Sequence, residues 1–223
     1  MTAESLLEMY DEYEQALEGL KTKIEGSFFA SDIFPKIHYF KTRKKIRTHL
    51  KNKIERKQQE GRLLTENNFF DEITDLIGCR ILLLFPQHFK YIHEFILSND
   101  EWELKEDPIA YTWDPETKKF FSEELLITDV KEKPSYYTSI HYVVNTYKTP
   151  NTPCCEIQVR TLLEEVWGEI DHEFNYPDKN ENKHLQDSLK ALAKLIASGA
   201  KLTEIIYNLG EENSSPALPN QES

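Results

Sequence analysis

Cysteine is scarce in this sequence, with three residues among 223, and the positions of the three do not suit a cross-linked protein. Cys154 and Cys155 are adjacent and Cys79 stands alone, a spacing that fits neither a disulfide framework nor a zinc site. We therefore expect all three thiols to be reduced residues of the core or of a strand.

Long hydrophobic runs are missing as well. No stretch approaches the roughly 20 apolar residues that span a bilayer, and the N-terminal segment carries acids where a signal peptide carries bases. Internal repeats of solenoid length are also absent. These absences predict a cytoplasmic protein that does not contact membranes.

Positive charge is in short supply. Lysine and arginine number 27 against 39 aspartates and glutamates, and the formal net charge of −12 argues against broad binding to nucleic acid backbones. Yet ten of the 22 residues at 36–57 are Lys or Arg, and Glu55 is the single acid of that segment. This local basic concentration points to a confined anionic ligand, although a solvated basic helix would show the same pattern.

The remaining composition, 39% hydrophobic, 12% aromatic and 30% charged, is that of a globular chain. A length of 223 residues accommodates one full core with appended helices. We predict an N-terminal helical segment at residues 1–30, one main domain at 31–178, a C-terminal helix at 179–210 and a disordered tail at 211–223. The N-terminal segment has the pattern of a docking or oligomer helix, and we expect a homo-oligomer.

Hydrophobic periodicity predicts a mixed α/β fold. Strand patterns, enough for a mixed sheet of about five strands, occur at residues 79–85, 102–105, 125–130, 139–147 and 154–159. Helical patterns occur at residues 42–61, 67–76, 88–97 and 182–209. The segment at residues 107–123 is ambiguous between a hairpin and a loop.

The segment at residues 155–176 is the most informative. Apolar and polar residues alternate from Cys155 to Val159, so Glu156 lies on a polar face that is turned to a ligand. A helical pattern follows Thr161, which can cap a helix. A strand end that offers Glu, Gln and Arg together suits a site that holds a metal ion and a polar substrate, which suggests nucleotide chemistry.

This segment resembles the synthetase domain of the RelA/SpoT alarmone family, whose signature reads EIQ(I/V)RT, then W(A/G), then (E/D)H and Tyr. The matching positions are Glu156, Ile157, Gln158, Arg160, Thr161, Trp167, Gly168, Asp171, His172 and Tyr176. Three further segments match in the same order, so the resemblance covers residues 36–176. It implies a nucleotidyltransferase-like domain with flanking N- and C-terminal helices.

The basic segment resembles the ATP-binding helix of the family, which carries an Arg, a Lys two residues on, a Lys eight further on, and then an Arg. The matching residues are Arg43, Lys45, Lys53 and Arg56. On a helix, steps of eight and three residues keep Lys45, Lys53 and Arg56 near one face, from which they can converge on phosphates. The resemblance also implies that Arg43 and Arg80 sandwich adenine.

The sequence DLIGCR matches the family's D-x-x-G-x-R turn at Asp75, Gly78 and Arg80. Pyrophosphoryl transfer concentrates negative charge, which Mg²⁺ held by one or two carboxylates disperses. The resemblance makes Asp75 the first metal ligand, although Asp75 alone would equally suit a turn. It makes Glu156 either the second ligand or the base for the attacking hydroxyl, and the sequence leaves both roles open.

The sequence KPSYYTSIHYVV at residues 133–144 resembles the family's K-P-x-G-Y-R-S-x-H-Y-V-V. By this match Tyr137 stacks on guanine, while Lys133 and His141 line the acceptor nucleotide. Stacking gives little base identity, so edge hydrogen bonds must recognise guanine, and Gln158 can supply part of them.

Two positions of that segment depart from the family pattern. Tyr136 stands where Gly is usual and Thr138 where Arg is usual, which removes conformational freedom and one positive charge near the acceptor. On the following helix we expect Trp167 to pack under the sheet. His172 is either a hydrogen-bonded core histidine or a partner of the site.

The resemblance implies a (p)ppGpp synthetase that binds ATP with Mg²⁺ and transfers the β,γ-pyrophosphate to the 3′-hydroxyl of GDP or GTP, releasing AMP. We expect no hydrolase domain, and therefore no hydrolysis of the product. One alternative is a toxin-type relative that pyrophosphorylates tRNA 3′ ends or makes adenosine alarmones, although the acidic charge speaks against a large RNA partner. A second is a non-catalytic nucleotide-binding regulator, and a third is that the terminal helices only mediate assembly.

Overall fold

Seven strands form one mixed sheet at the centre of the computed structural model, which describes residues 1–133, 135–146, 152–176 and 179–214. In chain order the strands are β1 (Tyr39–Lys44), β2 (Ile77–Leu83), β3 (Glu103–Leu104), β4 (Ile109–Tyr111), β5 (Asp129–Lys131), β6 (Ser139–Asn145) and β7 (Cys155–Thr161). Their spatial order is β1-β2-β7-β6-β4-β5, and β3 also pairs with β6.

Helices in the described part of the chain surround this sheet. They are α1 (Ala3–Glu12), α2 (Glu14–Phe29), α3 (Arg47–Gln59), α4 (Phe69–Glu72), α5 (His88–Ser98), α6 (Pro115–Lys119), α7 (Leu162–Asn175) and α8 (Lys183–Ser214). Thr2, Asp114 and Thr161 cap α1, α6 and α7 by accepting hydrogen bonds from backbone N–H groups of the first turn. The mixed α/β fold predicted from the sequence is confirmed.

The register of the central strands collects polar side chains on one face. Strands β2 and β7 are parallel, with Gly78 beside Glu156 and Arg80 beside Gln158. Strand β1 joins β2 in the antiparallel direction and places Arg43 beside Gly78. Because partners across a ladder point to the same side of a sheet, these side chains share one face.

The opposite face of the sheet is apolar and forms the core. Ile81 of β2 and Ile157 of β7 are buried there together with Phe28 of α2 and Ile92 of α5. Side chains alternate between the two faces of a strand, so burial of this set leaves the polar set on the other side, where it lines a cavity.

The apolar stripe of the N-terminal segment belongs to the same core. Leu6 and Leu7 of α1 and Leu17 of α2 are buried. The Tyr10 hydroxyl donates a hydrogen bond of 2.6 Å to the carbonyl oxygen of Lys45. The sequence predicted either docking or oligomer formation for this stripe. In the structure the stripe docks on the chain's own domain.

The sequence predicted one helix for the basic segment, but the structure has a strand followed by a helix there. Residues Tyr39–Lys44 form β1, and α3 begins only at Arg47. Exposed and half-buried residues alternate along β1, but the basic side chains on both faces hid this period in the sequence. The prediction that one helix carries Arg43, Lys45 and Lys53 is therefore wrong.

Short elements account for the other differences. The predicted count of about five strands omitted β1 and β4, and β4 lies with α6 in the ambiguous segment 107–123. The helix predicted at residues 67–76 is the single turn α4. Helix α8 continues to Ser214, past the predicted start of a tail. Residues 215–223 lie outside the described residues, as does Tyr147 at the predicted end of β6.

All three cysteines are free and buried, as predicted. Burial raises the pKa of the Cys79 and Cys155 thiols well above the usual value, which keeps both protonated and unreactive. In the described ranges, no helix combines the length and the apolar character that crossing a membrane requires.

A buried histidine makes the stability depend on pH. His93 of α5 is 7% exposed, its Nδ1 lies 2.9 Å from the Tyr142 hydroxyl, and burial lowers its pKa below the usual 6.5. As pH falls through 6.5 the unfolded chain binds this proton before the folded protein does, so the contribution of His93 to the free energy of unfolding decreases there and does not change above it.

Urea unfolding of the wild type and of His93→Gln at pH 5.5 and 7.5 measures this contribution. We expect the variant to lose less stability than the wild type on acidification, whereas His184→Gln, at an exposed position of α8, behaves as the wild type does. Equal losses for the wild type and His93→Gln would contradict the assignment.

Candidate active site

A cavity of about 350 Å³ opens over the polar face of the sheet, between β1, β2, β7 and the start of α7. Predicted site residues that line it are Arg43, Lys45, Asp75, Arg80, Glu156 and Gln158. A separate cavity of about 290 Å³ beside α8 is lined by none of the predicted site residues, and a third of about 320 Å³ is lined by Lys133 alone among them. The first cavity is therefore the candidate active site.

Asp75, just before β2, lies between two ammonium groups. Lys45 Nζ is 2.6 Å from its Oδ2 and Lys53 Nζ is 2.7 Å from its Oδ1. Burial alone would raise the pKa of Asp75, but the two lysines hold it below its usual value. Arg56 is not part of this group, because its side chain is 62% exposed and pairs with Glu60 of the same segment at 3.9 Å.

Glu156 of β7 faces the same cavity. Its Oε2 accepts a hydrogen bond of 2.8 Å from Gln158 Nε2, and its Oε1 lies 3.2 Å from His141 Nδ1. Burial would raise its pKa, yet the contact with His141 lowers it below the usual value, against an opposing effect of the Asp75 charge. The two acids are thus ionised and near enough to repel each other.

The donor set of this pair fits Mg²⁺. Two ionised carboxylates, Asp75 and Glu156, supply hard oxygen ligands on one cavity. Within the described residues there is no group of three or more acidic, His or Cys side chains that could hold an ion by itself. Such a pair suits an ion that keeps several waters and takes its remaining ligands from substrate phosphates.

The two arginines assigned to adenine stand on neighbouring strands at the cavity wall. Arg43 is on β1 and Arg80 on β2. Arg80 Nη1 contacts Glu165 Oε1 at 2.6 Å and Glu169 Oε1 at 2.8 Å. Burial would lower the pKa of Arg80, but these carboxylates raise it above its usual value. Both guanidinium groups keep flat surfaces on which a purine can stack.

The residues assigned to the acceptor form a chain that ends on Glu156. The Tyr137 hydroxyl lies 3.0 Å from His141 Nε2, and the other ring nitrogen of His141 contacts Glu156. Lys133 Nζ stands 5.0 Å from the Tyr137 ring centroid and 4.1 Å from that of Tyr111. Burial raises the pKa of Tyr137 and lowers that of Lys133. A series of polar contacts therefore connects the ring of Tyr137 with the carboxylate of Glu156.

Comparison with known proteins assigns this arrangement to a family. A sequence family described as "Region found in RelA / SpoT proteins" matches residues 42–181, well over half of the chain. The chain belongs to the RelA/SpoT family. Among curated relatives, GTP pyrophosphokinase YwaC of Bacillus subtilis (strain 168) is 26% identical over 196 residues, which cover 82% of this chain and 81% of YwaC.

Solved structures of other proteins share the fold. Small alarmone synthetase 1 from Bacillus subtilis, bound to its product pppGpp, superposes with a TM-score of 0.62 at 22% identity, over 88% of this chain and 93% of that one. A GTP pyrophosphokinase family protein from Streptococcus pneumoniae gives a TM-score of 0.66 at 21% identity, over 98% of this chain and 100% of that one. At these identities the likeness establishes the fold.

The departures from the RelA/SpoT pattern have visible consequences. Tyr136 adopts φ = 57°, a left-handed conformation that costs a residue other than Gly about 1–2 kcal/mol. Its ring meets Trp113 edge-on, with 5.1 Å between centroids. Thr138 is buried, and its hydroxyl lies 3.2 Å from that of Thr112. The segment therefore keeps a backbone conformation that Gly favours, and aromatic packing offsets the strain.

Two residues of the site, Glu165 and Tyr111, were missed from the sequence. Arg160 was predicted on the ligand face, where it is buried, with Cζ 5.4 Å from the Tyr137 ring centroid. Glu165 lines the cavity from α7. Tyr111 meets His141 edge-on at 4.9 Å, from the segment that the pattern left ambiguous. The acidic start of the predicted α7 was a signal that could have drawn attention to Glu165.

Two residues of the RelA/SpoT signature, Trp167 and His172, make contacts outside the cavity. Trp167 is buried, and its Nε1 donates a hydrogen bond of 3.1 Å to the Leu189 carbonyl oxygen, so it ties α7 to α8. His172 is exposed and stacks on Tyr176 with 4.4 Å between ring centroids. It is therefore not the core histidine that was one of the two predicted alternatives.

Proposed function

We propose that the protein is a Mg²⁺-dependent (p)ppGpp synthetase that transfers the β,γ-pyrophosphate of ATP to the 3′-hydroxyl of GDP or GTP. The proposal depends on one observation: Asp75 and Glu156 face the same cavity. The ammonium groups of Lys45 and Lys53 lie on one side of this pair, and the ring of Tyr137 lies on the other. The names of relatives agree with it, since YwaC is a GTP pyrophosphokinase and one structural neighbour holds pppGpp as its product.

The donor side would hold ATP through cations. Phosphate oxygens that approach Asp75 would meet the ammonium groups of Lys45 and Lys53, which are already positioned by that carboxylate. Arg43 and Arg80 would stack on adenine. A Mg²⁺ ion held by Asp75 and Glu156 would disperse the negative charge that develops on the transferred phosphates.

The acceptor side would orient the nucleophile. Guanine would stack on Tyr137, with Lys133 beside the acceptor phosphates. Glu156 would take the proton of the 3′-hydroxyl while the oxygen of that hydroxyl attacks the β-phosphorus of ATP. The bond to the α-phosphate then breaks and AMP leaves. His141, held at both ring nitrogens, would fix the orientation of Glu156.

An acceptor panel tests this function. Pure protein incubated with γ-labelled ATP, Mg²⁺ and one of GDP, GTP, ATP or tRNA should place label on the guanosine nucleotides. Label on tRNA alone, or on adenosine nucleotides alone, would establish the toxin-type activity in its place. Tight nucleotide binding without AMP release by the wild type would establish a non-catalytic regulator.

The aromatic platform has a measurable share in acceptor binding. Loss of stacking in Tyr137→Ala should raise the KM for GDP about 5- to 150-fold, which corresponds to about 1–3 kcal/mol per base, and leave the Kd of ATP, measured without an acceptor, nearly unchanged. Tyr91→Ala is the matched control, because that tyrosine of α5 is exposed and does not line the cavity. An unchanged KM for GDP in Tyr137→Ala would remove Tyr137 from the acceptor site.

We further propose that α8 carries the contact of a homo-oligomer. Its exposed apolar residues include Leu195, Leu202, Ile205 and Ile206. A stripe of this kind can pair with its own copy across a twofold axis. Light scattering should give a multiple of the 26.3 kDa chain mass for the wild type and a smaller mass for the double variant Leu202→Glu, Ile206→Glu. A mass that is identical for both proteins would place the contact elsewhere.

A further inference from the structure

The carboxylate of Glu165 lies between two guanidinium groups. Its Oε1 is 2.6 Å from Arg80 Nη1, and its Oε2 is 2.5 Å from Arg160 Nε. The side chain of Glu165 is 13% exposed and that of Arg160 is 4% exposed. Each oxygen of one largely buried carboxylate thus contacts a different arginine.

The two arginines lie beside the two nucleotide positions of the proposed function. Arg80 lines the cavity at the place proposed for adenine. Arg160 stands with Cζ 5.4 Å from the centroid of the Tyr137 ring, the platform proposed for guanine. Arg80, Glu165, Arg160 and Tyr137 therefore form one continuous row from the donor pocket to the acceptor pocket.

The start of α7 fixes this row in place. Thr161 and Glu164 form a reciprocal capping box, in which the Thr161 N–H donates to Glu164 Oε2 at 2.8 Å. Gly168, one turn further on, leaves room for the Arg160 guanidinium, because a Cβ at that position would lie 2.5 Å from Arg160 Nη1. A rigid helix start and an absent side chain thus define where Arg160 can lie.

We propose that Glu165 is a positioning residue that couples occupancy of the ATP site to affinity for the acceptor nucleotide. Adenine stacked on Arg80 excludes water from that guanidinium and strengthens its attraction to Glu165. A more firmly held Glu165 orders Arg160 beneath Tyr137, so the second nucleotide meets a platform that is already ordered. The assignment of donor and acceptor rests on the proposed function.

Binding measurements test this coupling without turnover. The Kd of GDP is measured by calorimetry with and without Mg²⁺ and an ATP analogue whose α- and β-phosphates are joined by a methylene group, a bridge that the reaction cannot cleave. In the wild type we expect the analogue to tighten GDP binding about fivefold or more, and GDP to tighten the analogue by the same factor. In Glu165→Gln, which keeps the shape and loses the charge, the factor should fall to near one.

Glu169→Gln is the matched control, because Glu169 also contacts Arg80, at 2.8 Å, but its side chain is largely exposed and its described ion pair is with Arg80 alone. This variant should keep most of the coupling. Gly168→Ala supplies a second route, since the added methyl displaces the Arg160 guanidinium while Glu165 stays intact. Gly168→Ala should also reduce the coupling between the two nucleotides, and it tests the proposal if Glu165→Gln fails to fold.

Two results would overturn the proposal: a wild type in which neither nucleotide affects the other, or a folded Glu165→Gln or Gly168→Ala protein with the full wild-type factor. Failure of the proposed function is recognised separately, because it appears as a wild type that releases no AMP with either GDP or GTP as acceptor. Normal AMP release with no coupling rejects only the role of Glu165.

Discussion

Replacement of Glu156 by Gln is expected to lower kcat for pyrophosphate transfer by about 10²- to 10⁴-fold, the range associated with loss of a general base. Glutamine has the same shape and can still accept from His141, but it cannot take the proton of the attacking hydroxyl. The affinity for GDP and for metal-free ATP should therefore change little. Chromatographic measurement of AMP formation and calorimetry of each nucleotide separate the two effects.

Glu173→Gln is a suitable control for this variant. Glu173 is an exposed carboxylate on α7, so its replacement removes the same charge from the protein without touching the cavity. Its kcat should equal that of the wild type. Wild-type AMP formation by Glu156→Gln would remove Glu156 from the chemical step.

Replacement of Asp75 by Asn should separate nucleotide binding from turnover. The variant loses one carboxylate of the proposed metal pair, and we expect kcat to fall about 10²-fold or more because charge on the phosphates is no longer dispersed. At the same time Lys45 and Lys53 lose the anion that holds them at 2.6 and 2.7 Å. Their ammonium groups become available to phosphate, so ATP without metal should bind as tightly as in the wild type or more tightly.

Titration of activity with Mg²⁺ and calorimetry with metal-free ATP measure the two halves of that prediction. Asp71→Asn is a matched control, since Asp71 also pairs with a lysine, Lys105, but does not line the cavity. Weaker binding of metal-free ATP in Asp75→Asn, together with an unchanged Mg²⁺ requirement, would contradict the arrangement.

The elements that could be predicted from the sequence are those whose period is set by burial. Ile157 and Val159 alternate with polar residues along β7, and Thr161 marks the start of α7, so both elements were recognised. Helix α5 was predicted within one residue of its observed end at Ser98. Strand β1 was not, because it lies at the edge of the sheet and three of its six residues are basic, with basic side chains on both faces.

The candidate site was predictable to the extent that short motifs carry it. Asp75 and Glu156 were named from two motifs, and the parallel pairing of β2 with β7 brings both to one cavity. Local spacing could not show that Lys45 and Lys53 would pair with Asp75, because those contacts join segments that are distant in the chain. The burial of Arg160 against Tyr137 is tertiary in the same sense.

The most direct test of the account is the stoichiometry of the products that the wild type makes from ATP and GDP. Transfer of an intact pyrophosphate releases one AMP for each pyrophosphate that is added to a 3′ oxygen, and it produces no ADP. Both products should form only when Mg²⁺ is present. We predict equal amounts of AMP and of a guanosine product heavier by two phosphates, resolved by ion-exchange chromatography and mass spectrometry. Accumulation of ADP, or of AMP without that guanosine product, would contradict the proposed reaction.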